Sequence, residues 1–128
     1  MSKTAPEMKW LIAAGVIGVA AIASGAFTAH GLEHRVSERA MSALHTGSNY
    51  AMVHAIVLLG ITALIDKSPR FLNLAAWAFV LGVILFSGSL IIFGVTEFRN
   101  HLWITPIGGL SLMVGWGFVA WAGIRTAK

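Results

Sequence analysis

The chain has 128 residues, of which 57% are apolar and 11% are charged, whereas a soluble domain usually carries about 25% charged residues. Its nine lysines and arginines outnumber the five acidic residues, but they are spread over every polar segment, which argues against a nucleic-acid-binding surface. The absence of cysteine excludes disulfides, thiolate metal sites and cysteine catalysis. The length leaves room for one compact helical domain over residues 1–128.

The charged residues fall into clusters, and between them lie four windows without any Asp, Glu, Lys or Arg. The windows contain 23, 26, 26 and 25 residues and cover 10–32, 40–65, 71–96 and 100–124. Because about 20 helical residues cross a hydrocarbon core of about 30 Å, every window is long enough to do so. The pattern predicts an all-α membrane protein, an antiparallel up-down bundle of four transmembrane helices. The predicted helices cover about 10–30, 44–65, 69–96 and 104–124.

Helix 1 carries small residues at spacings of three and four, which places them on one face. They are Ala14, Gly18, Ala21, Gly25 and Ala29. In lipid, such a face lets backbones approach closely, so we expect helix 1 to be the buried packing helix. Gly31 follows and suits the left-handed position that often ends a helix.

The segment after helix 1 is the longest polar stretch of the chain, and Ser37 within it is a suitable N-cap. Two interpretations stay open for the residues that follow Ser37. They form either a short interfacial helix in the first outer loop or the raised first turns of helix 2. Residues 50–65 span only about 24 Å, so helix 2 is expected to begin near Leu44.

Ser68 followed by Pro69 is typical of a helix start, and Thr105 followed by Pro106 repeats this pattern at helix 4. Helix 4 is rich in glycine, which predicts close contacts on more than one of its faces. The glycines that we single out for helix packing are Gly108, Gly109 and Gly115.

Lysines and arginines are distributed unequally over the two sides of the predicted bundle. Those near the termini and the helix 2–3 connection are Lys3, Lys9, Lys67, Arg70, Arg125 and Lys128. Those in the other two connections are Arg35, Arg39 and Arg99. The positive-inside rule therefore predicts cytoplasmic termini. The apolar run after the first lysines exceeds the usual signal-peptide core of about 7–15 residues, so we expect an uncleaved helix.

Polar residues of the predicted membrane segments gather in the outer half, and His54 is the most informative of them. An ionisable side chain at that depth is costly and usually faces protein or water. His54 is either a proton-responsive group or metal ligand, or a neutral imidazole that ties helix 2 to helix 3 by bonding Ser87 or Ser89. His30, at the end of helix 1, is either a pH sensor or a capping side chain.

Metal or haem binding through the outer histidines is an open alternative, because imidazole binds zinc, copper, nickel and haem iron. We assign no metal ligand, since Gly31 interrupts the pair His30-x3-His34 and no second histidine lies at the depth of His54. No spacing links a serine to a base and a carboxylate. We therefore predict no catalytic residue, no enzymatic activity and no cofactor.

Four segments follow one another in the chain: GAFTAHGL at 25–32, Tyr50-x3-His54-Ala55, LFSGSL at 85–90, and TPIGG at 105–109 with Gly115-Trp116. Together they resemble the signatures of the domain of unknown function family 423. These are small bacterial inner-membrane proteins similar to the eukaryotic transmembrane protein 256 group. The resemblance runs over about 10–125 of this chain.

The resemblance implies four helices in a bacterial inner membrane and supplies no established activity. Its signature residues in this chain, which we take as a candidate polar cluster, are His30, Tyr50, His54, Ser87, Ser89, Thr105 and Pro106. Thr28, Ala51 and Ile91 stand where the family usually has Gly, Gln and Tyr. The last two differences remove polar groups near the cluster, which argues against catalysis there.

The leading hypothesis is a non-enzymatic accessory or scaffolding subunit of a membrane assembly, or a small homo-oligomer. Small-residue faces favour helix contacts, and the connections are too short to form a separate site. The alternative is a small-solute or proton-responsive channel or transporter, with His54, Ser87 and Ser89 in an outer vestibule. Expected partners are the lipid bilayer and another membrane protein or a second copy, and no nucleic acid.

Overall fold

The computed structural model describes residues 5–128, with side chains from Glu7 onward, and Lys3 of the orientation count lies outside this range. Four long helices follow one another: α1 (Ala5–Phe27), α2 (Glu38–Leu64), α3 (Pro69–Thr96) and α4 (Ile104–Ala127). A π-helical turn (Thr28–Leu32) extends α1, and a 3-10 turn (Ile65–Lys67) extends α2. Four helices are long and apolar enough to cross a membrane, so the predicted all-α transmembrane fold is confirmed.

Consecutive helices are antiparallel, so the molecule has two different ends. We call the end with the connections 33–37 and 97–103 the distal end, and the opposite end, with the turn Ile65–Lys67, the terminal end.

The connection between α1 and α2 corrects two predictions. Gly31 does not adopt a left-handed conformation, because the π-helical turn continues through it and His34 takes the positive φ of 65° instead. Histidine is among the few residues other than glycine that are enriched in that region. The described chain has no separate interfacial helix, since α2 runs unbroken from Glu38 rather than from Leu44. Ser37 caps α2 by accepting a hydrogen bond from the Ala40 amide at 3.1 Å.

The helices pack in the order of the chain, α1 on α2, α2 on α3 and α3 on α4. α1 meets α3 only marginally, and neither α1 nor α2 packs extensively on α4. As a result α2 is the most buried helix and α1 the least, so the expectation that helix 1 is the buried packing helix is wrong. The one stripe of small residues on α1 packs against one neighbouring helix, and the rest of the α1 surface faces lipid.

The small residues of α1 contact α2 only in part. Ala14 and Ala21 are buried, and a Cβ at Gly18 would lie 4.0 Å from the Cβ of Ala55. Nearer the distal end, a Cβ added at Gly25 would have no atom of another element within 4 Å, and Ala29 is exposed. Contact between α1 and α2 nevertheless continues toward the distal end through polar residues, since the Ser24 and Ser48 hydroxyls lie 2.8 Å apart and Thr28 is fully buried.

Glycines let α4 approach α3 closely. Gly108 lies directly against the backbone of Leu85 and Phe86, and a Cβ at Gly115 would lie 2.6 Å from the ring of Phe79. Gly117 and Gly123 have nothing within 4 Å in their Cβ directions. The expected close contacts on several faces of α4 are therefore restricted, among the described residues, to the face toward α3.

Trp10 links α1 to α3 at the terminal end. Its side chain is only 2% exposed, and its indole N–H donates to Oδ1 of Asn73 at 2.7 Å. The ring packs edge-on against Trp77 with centroids 5.0 Å apart, and the Lys9 ammonium lies 4.7 Å from the centroid of Trp10. This contact joins helices that otherwise barely meet.

Candidate functional site

A groove runs between α2 and α4, with α3 as its floor. α2 and α4 do not pack extensively on each other, and a space of about 590 Å³ remains between the bulky side chains of the two helices. Its lining residues are mostly apolar: Tyr50, His54, Phe86, Pro106, Gly109, Leu110, Leu112, Met113 and Trp116. Several of these are exposed, Met113 by 64% and Trp116 by 46%, so the groove opens sideways, away from the helix ends. We refer to it as the α2–α4 groove.

His54 bridges the two walls of the α2–α4 groove. Its Nδ1–H donates to the Tyr50 carbonyl at 2.7 Å, because a carbonyl can only accept. Its Nε2 accepts from the Trp116 indole N–H at 3.2 Å. Both bonds together require a neutral ring with the proton on Nδ1, which suits a side chain that is only 4% exposed.

The partner of His54 differs from the predicted one. The sequence reading offered Ser87 or Ser89 as hydrogen-bond partner, and a tie from helix 2 to helix 3. The tie instead runs from α2 to α4, through Trp116, while the ring of Phe79 on α3 lies 5.1 Å from the imidazole. With both ring nitrogens engaged, His54 as placed has no lone pair to offer a metal.

The two serines lie outside the α2–α4 groove. Ser87 is 2% exposed and its carbonyl approaches Gly47 of α2. Its hydroxyl has no hydrogen-bond partner in the part of the chain that the structure describes. Ser89 instead joins α3 to α4, since its hydroxyl and that of Thr105 lie 2.6 Å apart, and His101 Nε2 donates to the Ser89 carbonyl at 2.9 Å.

The structure thus divides the predicted polar cluster into separate places. Tyr50, His54 and Pro106 line the α2–α4 groove. Ser89 and Thr105 form a bond between α3 and α4, and Ser87 faces α2. His30 is exposed on the π-helical turn at the distal end and is not part of the groove lining.

Trp116 is the important site residue to which the sequence reading gave no role. It appeared only as part of the glycine–tryptophan pair in the resemblance. An indole N–H inside an apolar helix needs a hydrogen-bond acceptor, and His54 is the buried imidazole on a facing helix. The need of the Trp116 indole for an acceptor was therefore the signal in the sequence that could have paired the two residues.

The α2–α4 groove suits the binding of apolar groups. Among its described lining residues none is an Asp, Glu, Lys or Arg, and its polar groups are the Tyr50 hydroxyl and the His54 imidazole. Over the described range 5–128, no three His, Asp or Glu side chains converge in a way that could hold a metal ion. The groove can accept bulky apolar groups, with the Tyr50 hydroxyl as a polar contact near its rim.

Comparison with known proteins identifies the family. The family model described as "Protein of unknown function (DUF423)" matches residues 24–109. The chain belongs to the DUF423 family. The match includes every wall of the α2–α4 groove except the part of α4 beyond Gly109.

DUF423 relatives cover nearly the whole chain. A UPF0382 membrane protein of Haemophilus influenzae is 34% identical over 92% of this chain and 95% of its own length. The UPF0382 membrane protein YwdK of Bacillus subtilis is 36% identical, with 92% and 98% covered. The UPF0382 inner membrane protein YgdD of Escherichia coli is 33% identical, with 92% and 91% covered. No solved structure matches the chain. This is a membrane protein of a family without an assigned activity.

Replacing His54 with leucine is expected to lower the free energy of unfolding by about 1 kcal/mol, because Trp116 loses its acceptor and interhelical hydrogen bonds in membranes average about 0.6 kcal/mol. A double-mutant cycle with Trp116→Phe, measured by unfolding in mixed micelles, should give a coupling energy of about 0.5 kcal/mol. Thr62→Val is the matched control, since Thr62 is buried and bonds only the Leu58 carbonyl of its own helix. Strictly additive effects of the His54 and Trp116 substitutions would contradict the bridge.

Proposed function

We propose that this DUF423 protein is a non-enzymatic accessory subunit of a larger membrane assembly. It joins that assembly by receiving a transmembrane helix of a partner, or of a second copy, in the α2–α4 groove. The observation that carries the proposal is the groove itself, a sideways-facing concavity lined by large apolar side chains, whose two walls are joined by the His54–Trp116 hydrogen bond. A helix that inserts bulky side chains into such a space gains van der Waals contact that disordered lipid chains supply less well.

The small extent of the parts outside the helices supports a role within the membrane. The connections between the long helices comprise only 28–37, 65–68 and 97–103, and much of the first is itself a helical turn. They offer too little chain to fold into an independent binding domain. Contacts that recruit a partner are therefore expected along the helices, where the groove lies.

The alternative of a channel or transporter has less support. Its proposed vestibule required His54, Ser87 and Ser89 to face one space, but neither serine lines the α2–α4 groove. Metal binding through the outer histidines likewise lacks a converging set of three ligands in the described part of the chain, and both ring nitrogens of His54, the candidate haem ligand, are engaged in hydrogen bonds. Neither alternative accounts for an open, apolar, sideways-facing groove.

The orientation belongs to the same proposal. We place both termini in the cytoplasm of a bacterial inner membrane, because most lysines and arginines lie at the terminal end and one relative is called an inner membrane protein. The distal end then faces the periplasm.

Photo-crosslinking tests the docking surface. A benzoylphenylalanine at Met113, which lines the groove, should give a discrete crosslinked protein in intact cells, whereas the same group at Val114 should not. Val114 is the matched control because it is adjacent on α4 and similarly exposed, 53% against 64%, but lies off the groove. The mass of the product distinguishes a second copy from a different protein.

A groove-filling substitution sharpens that test. Gly109→Leu should suppress the Met113 crosslink without unfolding the protein, because a Cβ at Gly109 meets only the Phe86 ring at 3.7 Å. Equal crosslinking from positions 113 and 114, or a Met113 product that survives Gly109→Leu, would contradict docking in the groove.

A further inference from the structure

A second cleft lies at the distal end, between α2, α3 and the connection that leads to α4. It encloses about 390 Å³ and is lined by Arg39, Ser42, Ala43, Thr46, Leu90, Phe93 and Leu102. None of these residues lines the α2–α4 groove. We call it the distal cleft.

Polar groups form one rim of the distal cleft. Arg39, Ser42 and Thr46 are three and four residues apart on α2, so they share one face of the helix. A second guanidinium lies nearby, because Arg99, which does not itself line the cleft, is 5.9 Å from the centroid of the Phe93 ring that does. One guanidinium and two hydroxyls therefore line the apolar slot, with a second guanidinium close to its Phe93 wall.

The positive charge at this rim is not neutralised by the protein. Neither Arg39 nor Arg99 forms an ion pair with a carboxylate in the described part of the chain. Glu38 and Glu97, the acidic residues next in sequence to the cleft, are both exposed. The contact of an acidic side chain that the structure shows at this end is between Glu33 and His34 at 3.8 Å, away from the cleft lining. An anionic group thus has two available guanidinium partners.

The floor of the distal cleft is apolar. Leu90 and Leu102 are partly buried, and Phe93 is only 3% exposed. A slot with cations and hydroxyls at the mouth and hydrocarbon inside matches the two halves of a phospholipid, whose phosphate lies at the membrane interface and whose acyl chains point inward. A free phosphate would use only the mouth.

We propose that the distal cleft binds an anionic phospholipid of the leaflet at the distal end. The phosphate lies between Arg39 and Arg99, with Ser42 donating a hydrogen bond, and an acyl chain packs on Leu90, Phe93 and Leu102. Guanidinium groups suit this role because they pair with phosphate oxygens through two parallel N–H donors. The site does not depend on the α2–α4 groove or on a protein partner.

Native mass spectrometry of the full chain in a mild detergent tests the site, with palmitoyl-oleoyl phosphatidylglycerol as the probe. Arg39→Gln and Arg99→Gln should each reduce the lipid-bound fraction at least about tenfold. Arg35→Gln should leave it unchanged, since Arg35 is an exposed arginine of the same end that does not line the cleft. All three positions are exposed, so loss of folding is not expected.

Two further probes distinguish a lipid from a free anion. Palmitoyl-oleoyl glycerol, which lacks the phosphate, should not give the adduct, and millimolar inorganic phosphate should not displace the phospholipid. Equal binding of phosphatidylglycerol by the wild type, Arg39→Gln and Arg99→Gln proteins would overturn the proposal. So would equal binding of the phosphate-free lipid, or full displacement by inorganic phosphate.

Discussion

Replacing Gly108 with alanine is expected to separate α3 from α4 and to lower the free energy of unfolding by about 2–3 kcal/mol. The new methyl group would meet the backbone of Leu85 and Phe86, with the Leu85 carbonyl carbon and the Phe86 Cα each at 2.8 Å. Backbone atoms cannot rotate away as a side chain can, so the two helices must move apart. The Ser89–Thr105 hydrogen bond, which spans the same interface, would lengthen with them.

The adjacent glycine provides the control for this prediction. A methyl group at Gly109 would meet only the ring of Phe86 at 3.7 Å, which is an ordinary contact. Gly109→Ala should therefore change stability by no more than about 1 kcal/mol, since alanine also favours the helix. Unfolding curves in mixed micelles measure both variants, and similar losses for the two would show that α3 and α4 are not packed as described.

Replacing Trp10 with alanine is expected to lower the free energy of unfolding by about 2–4 kcal/mol. The substitution removes a nearly fully buried ring, its edge-on contact with Trp77 and its hydrogen bond to Asn73. Because lipid chains are as apolar as the ring, the loss comes mainly from packing and from the unpaired amide oxygen of Asn73. α1 should then be held by α2 alone.

Two other variants separate these contributions. Trp10→Phe keeps most of the ring but lacks the donor, and should lose only about 1 kcal/mol. Trp103→Ala removes a tryptophan that is 68% exposed, and should be close to neutral. Equal stability of Trp10→Ala and Trp103→Ala would refute the described contact of Trp10 between α1 and α3.

The distribution of charge predicted the helices well, because the charged residues of the described chain lie in the connections or near the ends of the helices. The distribution of charge predicted the ends of the helices less well. α2 extends from Glu38 through a polar stretch because the Ser37 cap is strong enough to start the helix outside the uncharged window. Gly31 satisfied the rule for a helix end, but the chain continued as a π-helical turn and reversed at His34.

Packing between helices was harder to predict than the helices themselves. The stripe from Ala14 to Ala29 indicated a contact face, yet sequence spacing does not say which of its residues touch the neighbour. Toward the distal end a Cβ at Gly25 meets nothing, and the contact with α2 passes to Ser24, whose hydroxyl lies 2.8 Å from that of Ser48. Helix 4 shows the same limit, since Gly108 and Gly117 read alike in the sequence and only the first touches α3.

The candidate site depended on a contact between residues far apart in the chain. His54 stood out because a buried imidazole needs partners, but the sequence offered hydroxyls and an indole equally, and the indole of Trp116 lies 62 residues away. The polar residues predicted as one cluster divide among three interfaces, and His30 lies exposed at the distal end outside all of them. Depth in the membrane fixes height along a helix and not the direction in which a side chain points.

The serial order of helix contacts has a consequence for biosynthesis. Each helix that leaves the translocon can pack at once on the helix synthesised just before it. Little helix surface therefore stays unpaired until a later helix is made. The link from Trp10 to Asn73 can close once α3 has entered the membrane. Trp116 reaches His54 only when α4 follows, which makes the α2–α4 groove the last of these features to be completed in the nascent chain.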